Sequence, residues 1–335
     1  MACGGRARYR TPTATGGIAR VYSARNGSTK IEEKKLLLKT PVRLVVALAA
    51  LLSLALLPAA AQAAKPKPYY LALGDSLSVG VQPTASGGNK NSSQGYANQL
   101  ARRVGGVSLV NYGCGGATTA SFIKGNKPCG PKRKPGYANN SPRTSQLAAA
   151  ERFLRKNRGK VRFVTIDIGA NDVASCGQGG GIDIDCVNKG IAEIKKNGPK
   201  IAKRLRRAAG GGVPLAVMNL YDPFLQQWLN GGSGPAIAEA SVDIARDQVN
   251  PAIVKAFRPS GFKIARAAEA FDTYVPFERT TTYGGRNDVP LAVARICRLT
   301  WMCAPEPKGL DIHANKAGYS EIAAAFRKAL GKAAR

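Results

Sequence analysis

The sequence predicts an α/β fold: a three-layer α/β/α sandwich around a mostly parallel sheet of five strands. Three observations predict it. Short apolar, β-branched runs alternate with helical stretches from residue 69 to residue 330, the order that lays helices on both faces of a parallel sheet. Three of the runs stop at a glycine, Gly74, Gly113 and Gly169, the residue that turns most freely. Hydrophobic residues make up 44% and charged residues 21% of 335, ordinary globular usage that excludes a disordered or collagen-like chain. No linker divides residues 65–335, and no internal repeat is visible.

Residues 69–73 (YYLAL) form the first β-prone run, ahead of Gly74-Asp75-Ser76. Residues 94–104 read as a helix, and 107–112 (VSLVNY) as a buried strand ended by Gly113-Cys114-Gly115-Gly116. A Pro/Gly/Lys-rich loop covers 124–140. Residues 143–157 have helical spacing, with Leu147, Phe153 and Leu154 near one face. The β-branched strand 161–168 stops at Gly169, and the helical pattern of 183–208 ends at Gly210-Gly211-Gly212. Strand 213–220, helix 235–257 and a short fifth strand, 262–265, follow. Residues 315–330 make a last amphipathic helix, with Ile322, Ala325, Phe326 and Leu330 spaced at three and four.

Residues 44–64 carry no charge, follow Lys34, Lys35, Lys39 and Arg43, and close on the small-x-small site Ala61-Gln62-Ala63. That layout predicts a secretory signal peptide cleaved near Ala63/Ala64. Residues 1–63 are then an N-terminal extension and signal peptide, and residues 64–335 a single secreted domain. An uncleaved membrane anchor is the competing reading, because the run is nearly long enough to span a bilayer; Pro58 and the alanine-rich end suit cleavage better. Residues 1–33, Gly/Arg/Thr-rich and aperiodic, are odd for a signal peptide and fit a translation start nearer Leu36.

Lysine and arginine number 50 against 20 acidic residues, a formal charge of +30. Beyond residue 63 the balance is still 40 to 18, or +22. Such an excess favours peripheral contact with an anionic cell envelope, acidic polymers or nucleic acid. The basic residues are spread from Arg102 to Arg335 without a nucleic-acid-binding motif, so no specific nucleic acid is expected and a solvated basic surface is the plainer reading.

Of seven cysteines, six lie beyond the leader: Cys114, Cys129, Cys176, Cys186, Cys297 and Cys303. An even count behind a signal peptide points to disulfides, and six cysteines allow 15 pairings. The simplest is sequential, Cys114–Cys129, Cys176–Cys186 and Cys297–Cys303, each bond contributing roughly 2–3 kcal/mol by closing a short loop. A metal cluster is disfavoured because no CxxC pair exists, and nothing singles out a catalytic thiol.

His313 is the only histidine, which excludes metal sites built on several imidazoles. Ligands of an open parallel sheet bind outside the carboxyl ends of its strands. Gly74-Asp75-Ser76-Leu77-Ser78, Gly113–Thr119 and Gly169-Ala170-Asn171-Asp172 lie at such ends, and Asp311-Ile312-His313 precedes the last helix. A serine where a strand becomes a helix can turn both its hydroxyl and its backbone N–H toward a site. The hydroxyl needs a base, and His313 is the one imidazole that can serve. The N–H groups of Ser76 and Gly116 with the Asn171 carboxamide could make an oxyanion hole, each donor worth about 3 kcal/mol in a transition state. Taken singly, each segment has a plainer reading: a capped turn, a phosphate-binding nest, a strand-to-helix turn capped by Asp172, and a structural histidine. Their order and their placement at strand ends support the joint reading.

These four blocks, spread in order over nearly all of residues 68–332, resemble those of the SGNH (GDSL) hydrolases, a superfamily of esterases and lipases. The resemblance implies a flavodoxin-like α/β/α sandwich, the SGNH hydrolase fold. It also implies Ser76 as nucleophile, His313 as base, Gly116 and Asn171 as oxyanion donors beside the Ser76 N–H, and no cofactor. The six cysteines are similar to those of secreted actinobacterial members with three local disulfides. Two departures stand out. The family's aspartate usually lies three residues before the histidine, at Leu310 here, whereas the acid is Asp311, two before. Asp311 orients the imidazole if the loop bends; otherwise a backbone carbonyl does so. Ala314 stands where proline is common. The function implied is a secreted, monomeric serine esterase or lipase acting on small-molecule or lipid esters through an acyl-enzyme. The alternatives are a catalytically inactive, basic envelope-binding protein of the same fold, and an esterase for carbohydrate acetyl esters or phospholipids. Phe224, Leu225 and Trp228 are candidates for an acyl pocket or for the core.

Overall fold

Five strands carry the core: β1 (Tyr69–Gly74), β2 (Ser108–Asn111), β3 (Val161–Asp167), β4 (Leu215–Met218) and β5 (Phe262–Ala265). All neighbours are parallel, in the order β2-β1-β3-β4-β5. The computed structural model describes residues 66–127, 129, 139–177 and 180–335, all within a unit spanning Lys65–Arg335. The expected signal peptide and its cleavage site near Ala63/Ala64 lie outside the described residues.

Tyr70, Leu71, Ala72 and Leu73 are all fully buried, which is why β1 reads as an unbroken apolar run: helices cover both of its faces. Each large side chain so buried contributes roughly 1.5–3 kcal/mol. On one face α9 (Lys316–Leu330) packs on β4 and β5 and against α1 (Tyr96–Val104) and α8 (Leu291–Leu299). On the other, α5 (Ile184–Ala209) packs against α2 (Thr119–Lys124), α3 (Gln146–Lys156) and α7 (Asn250–Phe257). Ile322 and Phe326 of α9 are fully buried, as their spacing requires, while Ala325 is only half-buried. Leu147 and Leu154 are buried in α3 and Phe153 packs at its edge.

The expected strands are present, and so are the helices expected beyond residue 94, with one break. The stretch read as helix 235–257 divides into α6 (Gly234–Ile244), a π-helical turn (Ala245–Val249) and α7. Pro251 has no N–H to offer the preceding turn, so the regular ladder is interrupted. The widened turn sends Asn250 toward the sheet, where its carboxamide accepts from Leu220 N at 2.7 Å and donates to Leu220 O at 2.9 Å. Between residues 266 and 314 the structure adds what the hydropathy pattern does not show. There is an antiparallel ribbon (Thr280–Tyr283 with Arg286–Pro290) and α8, and then the strand pair β6 (Thr300–Trp301) and β7 (Asp311–Ala314). Disulfides join Cys114–Cys129, Cys176–Cys186 and Cys297–Cys303, with Cα separations of 5.4, 5.5 and 5.0 Å.

Candidate active site

The strand order reverses between β1 and β3, and an open α/β sheet leaves its crevice at that switch, beyond the carboxyl ends of the strands. Ser76 follows β1, and Asn171 follows β3 in the short helix α4 (Ala170–Val173).

Backbone geometry builds the serine turn. Gly74 pairs with Asp167 and has φ +129°, and a Cβ there would overlap the Asp167 carbonyl and carboxylate. The fully buried Gln146 clamps Gly74, accepting from its N–H at 2.6 Å and donating to its carbonyl at 2.9 Å. Asp167 Oδ2 accepts from the N–H groups of Asp75 (3.1 Å) and Ser78 (3.3 Å), while its Oδ1 accepts from Tyr96 Oη at 2.5 Å. Asp75 Oδ1 accepts from Leu77 N at 3.0 Å. The turn is thus fastened on both sides of Ser76.

The helix expected to start at Ser76 does not form. Gly80 takes φ +67° and bonds back to Leu77 O at 3.2 Å, while Val81 N reaches Ser76 O at 3.0 Å. These paired bonds terminate a single turn. Gly80 also lies against Gly95 too closely for a Cβ on either. The first full helix, α1, begins only at Tyr96, so the Ser76 N–H sits in a turn without a helix dipole behind it.

β7 explains the histidine. Residues two apart in a strand project to the same face, so Asp311 and His313 stand side by side. Asp311 Oδ1 accepts from the His313 backbone N–H at 2.8 Å and lies 2.7 Å from His313 Nδ1. The bend that sets this register is at Leu310, an exposed residue with φ +53°. β7 is then held by pairing to β6, by Tyr221 Oη donating to Ile312 O at 2.8 Å, and by Gln82 Nε2 donating to Ala314 O at 2.7 Å. Tyr221 is itself fixed by stacking on Phe271, with centroids 4.3 Å apart.

Ser76, Asn171 and His313 line one cavity of about 110 Å³, together with Asp75 and Ile312. Among the described residues no hydrogen bond joins Ser76 Oγ to His313; contacts between nucleophile and base commonly tighten only when substrate binds. Gly116 is not among the lining residues. It has φ +70° and carries the Lys127 side chain against it, so a Cβ there would meet Lys127 Cε at 2.7 Å. Asn171 ties that loop to the cavity. Its Nδ2 donates to Asp75 Oδ2 and to Ala117 O, each at 3.1 Å, so a substrate oxygen seeking the carboxamide competes with one of them. Asp172 caps a neighbouring helix and not its own: its carboxylate accepts from Thr119 N (2.9 Å) and Thr119 Oγ1 (2.6 Å) at the start of α2.

Burial sets the protonation landscape. It raises Asp75 and raises Asp167 further, with the neighbouring Asp75 charge adding to the effect on Asp167. Asp172 rises to about 6, chiefly through burial. Asp311 runs the other way: burial pulls it up, but the hydrogen bonds and charge of His313 outweigh that and hold it below the ordinary range. Asp311 is therefore a carboxylate at neutral pH.

Most of the remaining cavity wall is apolar, with Val173, Ile182, Val187, Phe224, Ile244 and Val249; Asp222, Ser241 and Asn250 add polar groups to it. Of the three acyl-pocket candidates only Phe224 lines it; Leu225 is fully buried in the core, and Trp228 lies under the Arg286 guanidinium at 4.8 Å. Gln146, Asp167, Tyr221 and Asn250 position the site without any motif announcing them. Only Asp167 leaves a trace in the sequence, as a carboxylate inside an otherwise apolar strand.

A doubly wound sheet with a serine turn at its switch point and a His–Asp pair on a late strand defines an α/β hydrolytic architecture. The chain belongs to the GDSL-like lipase/acylhydrolase family, whose model matches residues 72–320. Among solved structures it is similar to an extracellular lipase from Streptomyces rimosus, with 20% identity, 78% of this chain and 99% of that chain covered, and a TM-score of 0.47. It is also similar to phospholipase A1 from Streptomyces albidoflavus NA297, with 19% identity, the same coverages and a TM-score of 0.46. A carbohydrate acetylesterase family member from Sinorhizobium meliloti matches at 11% identity, 78% and 99% coverage, and a TM-score of 0.37. No curated protein matches the sequence. Among the described residues no helix is long and apolar enough to cross a membrane.

Proposed function

We propose that the chain is a secreted serine esterase or lipase that hydrolyses carboxylic esters through an acyl-enzyme on Ser76. One observation carries the reading: Asp311 occupies His313 Nδ1 at 2.7 Å, which leaves Nε2 to serve the cavity that Ser76 also lines. Ser76 Oγ attacks the ester carbonyl as His313 Nε2 takes its proton. The oxyanion draws on the N–H groups of Ser76 and Gly116 and on Asn171 Nδ2. His313 returns the proton to the departing alkoxide, and the acyl group stays on Ser76. Water, deprotonated by His313, then releases the acid. Asp311 holds the ring and stabilises the imidazolium.

The apolar wall beside Ser76 supports an acyl chain longer than acetyl, housed between α5 and the π turn. Three disulfides support an extracellular setting. The test is hydrolysis of p-nitrophenyl esters from acetyl to palmitoyl, with fluorophosphonate labelling. Ser76→Ala abolishes labelling, and Ser76→Ala and His313→Ala each lower kcat/KM by at least ~1,000-fold. Wild-type activity in both variants overturns the assignment.

A further inference from the structure

The basic excess is not evenly spread. Between residues 76 and 166 there are 15 lysines and arginines and one acidic residue, Glu151, which is bound to Arg204. Part of that charge borders two adjoining depressions across α1 and α9, whose linings share no residue with the acyl cavity. The first, about 800 Å³, is lined by Lys90, Arg298, Trp301 and Lys316 among others. The second, about 400 Å³, is lined by Arg103, Arg327, Lys328 and Arg335. Arg103 connects them: it lines the second and hydrogen-bonds Ser320, which lines the first. The two linings contain seven basic side chains and no acidic side chain. Glu321 of α9 turns instead to Arg295. Lys90, Lys316 and Lys328 are exposed, and among the described residues none of the three is in an ion pair.

We propose that this groove is a binding site for a linear anionic polysaccharide. A row of unpaired cations without interspersed acids concentrates positive potential along a path, which suits repeated charges on one strand. The half-buried Trp301 supplies an indole surface of the kind that packs on sugar rings, with Lys308 5.6 Å from its centroid. A bilayer is the poorer fit. Surface helices that hold membranes bury protruding apolar residues, and the exposed large hydrophobics among the described residues, Ile184 and Leu310, do not line either depression. The groove also adjoins the catalytic strand. Gln82, which lines it, donates to Ala314 O of β7, and Trp301 of β6, the strand paired with β7, lines it too. A polysaccharide held there is retained beside the cavity whether or not it is the ester cleaved.

The test is titration of the full chain with polygalacturonate at 150 mM salt, with a single-stranded oligonucleotide and phosphatidylglycerol vesicles in parallel. Lys90→Glu, Lys316→Glu and Lys328→Glu together weaken polygalacturonate binding by about tenfold or more. An equal reversal elsewhere, Lys156→Glu with Arg158→Glu and Lys160→Glu, changes it less than about twofold, because exposed charges farther off are screened. Both triple variants keep wild-type turnover of p-nitrophenyl acetate, and Ser76→Ala keeps wild-type polysaccharide binding. The latter separates failure of this site from failure of the esterase reading. Equal loss in both triple variants, no binding by the wild type, or tighter binding of the oligonucleotide or the vesicles overturns the proposal.

Discussion

Replacing Asp311 tests how much of the catalytic geometry rests on one oxygen. Asp311 Oδ1 accepts two N–H bonds from a single residue, His313 N at 2.8 Å and Nδ1 at 2.7 Å. The two side chains are only 13% and 12% exposed, so water screens the pair incompletely. Unit charges about 4 Å apart interact by about 4 kcal/mol at an effective dielectric of 20, and by about 1 kcal/mol in bulk water. Asp311→Asn removes the charge but keeps a carbonyl oxygen able to accept both bonds. It therefore costs ~1–4 kcal/mol of imidazolium stabilisation, or ~5- to ~1,000-fold in kcat/KM. Asp311→Ala removes the acceptor as well and frees the ring to turn, adding ~1–3 kcal/mol for two donors left without a partner. The expected order is wild type, then Asn, then Ala, read as kcat/KM on p-nitrophenyl butyrate and as the rate of fluorophosphonate labelling. An Ala variant within twofold of wild type refutes the acid's role. An Asn variant worse than Ala refutes the two-bond geometry, because it means the carboxamide has turned its NH₂ toward Nδ1 and fixed the wrong tautomer.

The cavity and its supports give three more expectations. Ala245→Phe, on the π turn that lines the cavity, lowers kcat/KM on long acyl esters by about tenfold and spares acetyl; an unchanged chain-length profile places the acyl chain elsewhere. Burial first of all raises Asp222 from 3.8 to about 6, so the native chain keeps this proton after the unfolded chain has lost it, and stability falls by up to ~3 kcal/mol as pH rises from ~4 through ~6. Asp222→Asn makes the decline in melting temperature over that range shallower, and an identical slope contradicts the assignment. Leu310→Gly relieves a left-handed conformation costing ~1–2 kcal/mol, roughly offset by the freer unfolded chain. Its melting temperature therefore matches or exceeds wild type by calorimetry, and a fall of more than ~5 °C refutes the strain at this bend.

Much of this protein is determined locally. Alternation of apolar runs and amphipathic stretches is enough to specify five strands and the helices between them, because a parallel sheet must be covered on both faces. Ser76 and Asn171 stand out in the sequence because each follows a glycine that ends an apolar run, and His313 because it is the one histidine. Other features depend on residues far apart in the chain. The expectation of a helix at Ser76 fails because Gly80 meets Gly95 across a tight approach that no local propensity encodes. Whether Asp311 can serve His313 is undecided until Leu310 bends and β7 pairs with β6, putting alternate residues on one face. Gln146 on Gly74, Asp167 on the serine turn and Tyr221 on Ile312 span 72, 92 and 91 residues. Side-chain type and periodicity carry the elements and the reacting groups, which are short-range matters of propensity and chemistry. Hydrogen-bond partners and cavity walls arise only when the layers close, because each depends on the distance between two surfaces that the chain brings together last.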